Sequence, residues 1–191
     1  MPKITVPVEI LARHVRLSSK GLRTLFGEDY QLTPKKPFSQ PASFIAEECL
    51  HIDGPRSAFD NVTIIGPLSN ATQAILSRSD ALALGLEELP VCLPGKSGGG
   101  NIKLVGPKGA LLLKDGTAVS KRLLFVNAKD ATKLHLEDEQ VISAQVNGPR
   151  GLTFHDVHVF IGEDFRTILY INMDDANAAG LGSSAEAELL I

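Results

Sequence analysis

Residues 13–29 read RHVRLSSKGLRTLFGED, and 109 positions later residues 122–138 read RLLFVNAKDATKLHLED. Arginine, lysine, leucine, glutamate and aspartate recur in register between the two segments. Ser18 and Asn127 occupy the same place in them, and both residue types are preferred at the N-cap of a helix. Each segment therefore predicts a strand, a capped short helix and a turn, and the chain contains an internal repeat.

The repeat continues beyond these segments. Residues 52–65 and 146–160 both place Gly-Pro-Arg between two strand-like runs, which predicts a hairpin in each half. Residues 80–86 and 175–181 both predict a short helix that stops at a glycine. Many short strands with Gly and Pro turns favour small barrels. We expect a mainly β (α+β) fold with short helices, built as two similar small β-barrel domains.

The repeat also suggests domain boundaries. We expect the first barrel half at 1–90, a connecting loop and hairpin at 91–116, and the second barrel half with a C-terminal tail at 117–191. The tail sequence from residue 182 is compatible with one or two helical turns with its last three apolar residues exposed, and a tail that is folded back on the domain or frayed is the more usual outcome. The three apolar residues are Leu189, Leu190 and Ile191.

Composition excludes several classes of protein. The 191 residues carry a net charge of -3, whereas non-specific nucleic-acid binding needs a basic surface. No apolar run approaches the roughly 20 residues that span a membrane, and the N-terminus has no signal-peptide pattern. Cys49 and Cys92 are far apart in sequence, and we expect both to be buried and reduced. These features predict a cytoplasmic protein without a membrane or nucleic-acid partner.

Histidines are the first candidates for a site. Residues 10–18 read ILARHVRLS and alternate like one strand, which places His14 and Arg16 on the same face. His-x-His there would chelate a metal, but arginine has no lone pair to donate. His155 and His158 are three apart in a predicted strand, so we expect them on opposite faces without a shared metal.

Lysines are the second group. Gly95-Lys96-Ser97 lacks the preceding glycine and the following helix of a P-loop, so residues 94–101 predict a plain linker or a mobile loop whose lysine touches an anion. Lys35 and Lys36 lie in a proline-bounded loop. They are candidates for holding a phosphate, although most exposed lysines bind nothing.

Several blocks of the chain stand in a specific order and spacing: ARHVRLS, LFGEDYQLTPKKPFSQP, AEE, LVGPKG, RGLTF and DDANAAGL. Together they resemble the PduL-type phosphate propanoyltransferases from Val8 to Leu181. The resemblance implies two β-barrel domains, a two-zinc site between them, and acyl transfer between coenzyme A and phosphate. Many members of this family act inside bacterial microcompartments.

The resemblance also places the metal ligands. The six positions where the family carries them are occupied here by His14, Arg16, Ile75, Leu123, Phe125 and Tyr170. The family's arginine that is thought to hold substrate phosphate falls on Ser69. Zinc takes imidazole, thiolate or carboxylate ligands, and of the six positions only His14 keeps the family's ligand. We therefore expect no zinc and no other cofactor.

Two functions remain open on these grounds. The first is a catalytically inactive homologue that acts as a binding, regulatory or structural subunit, paired with an active PduL paralogue or with itself. The second is an active phosphate propanoyltransferase or acetyltransferase with a metal-poor site, in which His14 and Arg16 are the candidate catalytic residues. In either case Arg13, Lys35 and Lys36 are candidates for binding coenzyme A or an acyl phosphate.

Members of the family that enter microcompartments often carry an extra N-terminal amphipathic segment. No such segment precedes the first predicted strand in this sequence. The sequence therefore predicts a cytoplasmic location and leaves association with a microcompartment open.

Overall fold

A computed structural model describes residues 3–93, 95–96, 98–182 and 184–191. The chain forms two compact units. The N-unit is Ala12–Ser120, and the C-unit combines Met1–Leu11 with Lys121–Ile191. Each unit contains a closed barrel of six strands, which confirms the predicted fold of two small barrels with short helices.

The helices in the described residues are seven or eight residues long, and none is long and apolar enough to cross a membrane. In chain order the elements are β1 (Thr5–Leu11), β2 (His14–Arg16), α1 (Ser19–Phe26), β3 (Pro34–Pro37), β4 (Phe44–Asp53), β5 (Ala58–Gly66), β6 (Gln73–Leu76), α2 (Arg78–Leu84), β7 (Val91–Cys92), β8 (Gly99–Val105), β9 (Ala110–Ser120), β10 (Arg122–Asn127), α3 (Ala128–Leu134), β11 (Val141–Val146), β12 (Leu152–Gly162), β13 (Ile168–Asn172), α4 (Met173–Ala179) and β14 (Glu186–Leu190).

The two barrels have the same strand order. The N-unit barrel closes as β2-β5-β4-β8-β9-β6, with β2–β5 and β6–β9 parallel and the other pairs antiparallel. The C-unit barrel closes as β10-β12-β11-β14-β1-β13, with β10–β12 and β1–β13 parallel and the other pairs antiparallel. The repeat in sequence is therefore a repeat of topology.

Each barrel contains the strand that leads into the other repeat. Strand β1 precedes β2 in the chain but pairs in the C-unit, and β9 precedes β10 but pairs in the N-unit. The units therefore differ from the predicted ranges 1–90, 91–116 and 117–191. The segment 91–116 is not a connector, because it supplies β8 and part of β9 to the first barrel.

Local sequence signals explain the helices. Ser18 caps α1 and Asn127 caps α3, each accepting a hydrogen bond from a backbone N–H of the first turn, as predicted. Helices α2 and α4 both end at a glycine in the left-handed conformation, Gly85 (φ 86°) and Gly180 (φ 65°). These signals place the four helices without reference to the rest of the fold.

A residue with positive φ interrupts the same strand in both repeats. Asn61 (φ 54°) interrupts β5 and Asp156 (φ 57°) interrupts β12, and both residue types tolerate this conformation. The interruption breaks the alternation of faces in β12. Val157 enters the core, whereas His155 and His158 both lie outside it. The prediction that these two histidines face opposite ways is therefore wrong.

Each barrel has its own apolar core. The N-unit core runs from Val15 to Val119 and contains fully buried leucine or isoleucine side chains on β4, β5, β6 and β8. The C-unit core runs from Val6 on β1 to Leu189 on β14. Burying each such side chain stabilises the folded state by roughly 1.5–3 kcal/mol. The apolar core of each unit therefore stabilises the barrel that encloses it.

Two predictions about chain ends and strands need correction. The tail is not helical, because β14 pairs with β1 and β11 and buries Leu189. Leu190 and Ile191 are exposed, as predicted. Residues 10–18 do not form one strand, because the chain passes between the two units after Leu11 and β2 begins at His14.

Two smaller predictions concern cysteines and a loop. Cys49 is exposed and Cys92 is half-buried, so neither is the buried side chain that was expected. Pro94 and Ser97 of the predicted loop lie outside the described residues. The hairpin predicted within 91–116 is confirmed, since a turn at 106–109 joins β8 to β9.

Candidate functional site

His14 opens the short strand β2. It is in register with Thr63 on the parallel strand β5 and with Ile75 on the antiparallel strand β6. The side chain is 5% exposed, and Nδ1 lies 2.9 Å from the carbonyl oxygen of Ala12. A carbonyl oxygen only accepts, so Nδ1–H is the donor and the neutral ring carries its lone pair on Nε2.

The surroundings of His14 keep its ring neutral. Burial lowers the pKa of His14 from 6.5 to about 4, the bond to Ala12 opposes this, and the charge of Arg16 lowers it further. Desolvation disfavours the charged form of any buried titratable group. At neutral pH His14 is therefore a neutral imidazole with a basic nitrogen.

Arg16 lies on the same face of β2 as His14. Val15 and Leu17 enter the N-unit core, so His14 and Arg16 share the other face, as predicted. Arg16 is half-buried and in register with Gln73 on β6. The N-unit thus holds a neutral imidazole and a permanent cation two residues apart.

The equivalent face of the C-unit is apolar. Leu123 is in register with Tyr170 on β13, and these side chains are 3% and 5% exposed. The ring of Phe125 packs against those of Phe160, Phe165 and Tyr170, with centroids 5.8, 5.0 and 5.1 Å apart. Apart from the hydroxyl of Tyr170, the side chains packed at these positions are apolar.

These residues do not fit the zinc pair that the resemblance implies. Ile75, Leu123 and Phe125 have no donor atom, and an arginine at position 16 cannot ligate a metal. Across the described ranges, no three His, Cys, Asp or Glu side chains are arranged to hold a metal ion. No catalytic step through zinc follows from this arrangement of side chains.

Arg13 is held by its own unit. Its Nε and Nη2 donate to Asp80 Oδ1 at 2.9 and 2.6 Å, and its guanidinium lies 4.1 Å from the ring centroid of Phe59. Arg122 repeats this contact in the C-unit, donating to Asp175 at 2.6 Å. The geometry gives Arg13 a structural contact at the start of α2, and its binding of phosphate stays a prediction.

The other predicted phosphate contacts are scattered. Lys35 and Lys36 are exposed on β3, an edge strand separated from β2 by β4 and β5. Ser69 donates its hydroxyl to the Ala71 carbonyl at 2.6 Å. The structure brings none of these three residues to the strand of His14, although Ser69 N–H donates to the carbonyl of Leu17 just beyond it.

A polar cluster that the sequence did not predict lies in the C-unit. Lys121 Nζ is 2.7 Å from His158 Nε2 and 3.3 Å from Asp156 Oδ2, and the same Nε2 is 3.1 Å from Asp156 Oδ1. The signal in the sequence is a difference between the repeats. Ala12 and Thr63 occupy the positions that Lys121 and His158 occupy in the second repeat.

Sequence comparison with known proteins matches residues of both barrels. The phosphate propanoyltransferase family model matches residues 7–182. A phosphate propanoyltransferase of Clostridioides difficile is 37% identical over 186 residues, covering 97% of this chain and 88% of that protein. Its counterparts in Thermotoga maritima and Listeria monocytogenes are 39% and 36% identical, covering 92% and 97% of this chain and 84% and 87% of theirs. The chain belongs to the phosphate propanoyltransferase family.

Proposed function

We propose that this chain is a non-catalytic member of its family that binds a phosphate-bearing ligand of the acyl-transfer reaction and acts as a binding or regulatory subunit. The observation that carries the proposal is the identity of the family's ligand positions. Leucine, phenylalanine and isoleucine stand where oxygen or nitrogen donors are needed. Without a metal, no Lewis acid at these positions polarises a thioester carbonyl.

The replacements are consistent with one another. Leu123, Phe125 and Tyr170 pack together on one face of the C-unit barrel, so the positions are filled by apolar contacts. Exchanging a buried charged site for packed apolar side chains is often neutral or stabilising. Such a set of changes preserves the fold while removing the metal chemistry.

The ligands follow from the family and from the remaining cations. Relatives named phosphate propanoyltransferase act on a propanoyl group and phosphate, so acyl phosphate and coenzyme A are the ligand classes we propose. The proposed contacts for their phosphates are Arg13, Arg16, Lys35 and Lys36. The proposed partner is an active paralogue or a second copy of this chain, in the cytoplasm or a microcompartment.

One observation supports a second candidate, a metal-independent acyltransferase. His14 is neutral at pH 7, and the Ala12 carbonyl holds its Nδ1–H, so Nε2 is available as a general base. Arg16 would supply a fixed positive charge for the oxyanion on the reacting carbonyl. This candidate predicts turnover that needs His14 and is indifferent to zinc.

A transfer assay separates the two candidates. Propanoyl phosphate and coenzyme A are incubated with the protein, with zinc or with a chelator, and thioester formation is followed by absorbance. The Clostridioides difficile relative serves as positive control, and His14→Ala serves as the matched control variant. We expect no thioester above the His14→Ala background in either condition.

Each alternative result has a distinct meaning. Turnover that vanishes in His14→Ala and persists with chelator would establish the metal-independent enzyme. Turnover that requires zinc would mean that other side chains supply ligands, and the non-catalytic proposal would be wrong.

A further inference from the structure

In the cluster of Lys121, Asp156 and His158, an imidazole and a carboxylate contact the ammonium group of Lys121. These two groups are the ones that commonly ligate metal ions in proteins. The Lys121 ammonium lies 2.7 Å from an imidazole nitrogen and 3.3 Å from a carboxylate oxygen. The closer contact requires that ammonium donate to the His158 lone pair, since lysine has no acceptor. A protein-borne positive charge therefore occupies this position on β12.

The cation is partly removed from water. The side chains of Lys121 and His158 are 25% and 16% exposed, whereas Asp156 is 59% exposed. Burial raises the pKa of Asp156, but the hydrogen bond and charge of Lys121, together with His158, lower it by more. Asp156 is thus an ionised, largely solvated partner, and ion pairs with such partners are weak.

The cluster borders the apolar face described above. His158 is in register with Leu123, and Phe160 is in register with Phe125. Lys121 precedes Leu123 by two residues, which places the two on the same face of an extended chain. The positive charge therefore lies next to positions where the family carries metal ligands and this chain carries none.

The first repeat shows that the fold does not require these three residues. Ala12, Asn61 and Thr63 stand at the equivalent positions. The first repeat has the same strand order and the same interruption, with φ of 54° at Asn61 against 57° at Asp156. Since a barrel of this kind forms without the charged cluster, folding alone does not account for it.

We propose that Lys121 and His158 form an oxyanion-binding site for phosphate or the phosphate group of an acyl phosphate. The proposal rests on the proposed function, because it assigns to Lys121 the positive charge that a metal would otherwise supply. The ammonium donates to a ligand oxygen in place of the solvated Asp156 carboxylate, while His158 Nε2 keeps accepting from the same ammonium and holds it in position. Asp156 competes with the ligand for the same ammonium.

Because Asp156 competes with the ligand, substitutions in the cluster should change the phosphate affinity in opposite directions. Binding of inorganic phosphate and of propanoyl phosphate is measured by isothermal titration calorimetry at low ionic strength, with sulfate as the general anion control. We expect Lys121→Ala to weaken phosphate binding at least tenfold and His158→Thr to weaken it several-fold. Asp156→Asn should tighten it several-fold.

The variants are compatible with the fold, because each introduces the residue that the first repeat carries at that position. The matched control is Lys103→Ala, since Lys103 lies 3.6 Å from Asp53, an aspartate that His51 also contacts, but is 53% exposed. It should bind phosphate like the wild type. Thermal unfolding of every variant verifies that it is folded.

The outcomes are separable from those of the transfer assay. Absent phosphate binding in the wild type, or equal binding by wild type and Lys121→Ala, would overturn the site. A loss of affinity in Asp156→Asn would also overturn it, since removal of a competitor cannot weaken binding. Thioester turnover would instead refute the non-catalytic function. The phosphate-binding site would still stand or fall on the affinities of the variants. Tighter binding of propanoyl phosphate than of phosphate would identify the acyl phosphate as the ligand.

Discussion

His14 couples protonation to folding at the scale of a single residue. Its pKa is about 4 in the folded protein, against 6.5 for an unburied histidine. The unfolded chain therefore takes up this proton first as the pH falls. Stability that is fully present above pH 6.5 is lost as the pH decreases toward 4, by roughly 2–3 kcal/mol at pH 4.5.

Replacing His14 should flatten this acid dependence. Leucine occupies the equivalent position of the second repeat, so His14→Leu is a suitable variant. Urea unfolding of both proteins at pH 7.5 and 4.5 gives the difference directly. His51, whose pKa is raised by its hydrogen bonds to Asp60 and Asp53, stabilises in the opposite direction but is common to both proteins. An identical acid loss in the two proteins would contradict a buried, neutral His14.

The placement of a side chain could be predicted from the sequence wherever it depended on local spacing. The shared face of His14 and Arg16 follows from the two-residue period of a strand. The contacts of Arg13 and Lys121 were not readable, because their partners lie 67 and 35 or 37 residues away. Only the register of paired strands brings such side chains together.

At the scale of secondary-structure elements, the same arginine–aspartate contact is built twice but satisfied differently. Asp80 receives two hydrogen bonds from Arg13 and one from the backbone N–H of Ser77, where it completes a capping box. Asp175 receives one from Arg122, and among the described residues its Oδ2 is buried without a partner. The start of α2 is therefore better stabilised than the start of α4.

Alanine substitutions should reveal this asymmetry. We expect Asp80→Ala to lower the free energy of unfolding by roughly 2–3 kcal/mol, because it removes a cap and a charged hydrogen-bond acceptor. Asp175→Ala should cost only about 1 kcal/mol, because the carboxylate it removes is already partly unsatisfied. Urea unfolding of the two variants supplies the comparison. Equal losses would mean that the capping box adds nothing to the arginine contact.

Element boundaries show where sequence reasoning was sufficient. The helices begin and end at capping residues, so Ser18, Asn127 and the glycine stops identify them directly. The faces of β12 were misjudged because one residue in a left-handed conformation, Asp156, breaks the strand period. Asparagine and aspartate tolerate that conformation, but their presence does not predict it, since both are common in other conformations.

At the scale of the whole molecule, the exchanged strands explain why the predicted domain boundaries differ from the units. Repeats in sequence begin where similarity begins, at Arg13 and Arg122. Barrels close where strands pair. Strand β1 precedes the first repeat but closes the C-unit barrel, and β9 precedes the second repeat but closes the N-unit barrel. Similarity between repeats carries no information on which barrel receives the strand before each of them.

This topology predicts which fragment of the chain folds alone. Residues 12–120 contain all six strands of the N-unit barrel and every member of its buried core. Residues 1–90 lack β8 and β9, which leaves β4 and β6 with unpaired edges and opens the core. We expect the 12–120 fragment to unfold cooperatively in urea, and the 1–90 fragment to aggregate or to show no cooperative transition.

A circularly permuted C-unit extends the same argument. Strands β14 and β1 are antiparallel neighbours, as β8 and β9 are, but β8 and β9 are joined by the turn at 106–109. Joining residues 121–191 to residues 3–11 through a short glycine-rich turn reproduces that hairpin in the second barrel. Dispersed amide NMR spectra and cooperative unfolding are expected for this permutant as well as for 12–120. If only 1–90 folded, the division of the chain would follow sequence similarity, and strand exchange would not be the rule that closes these barrels.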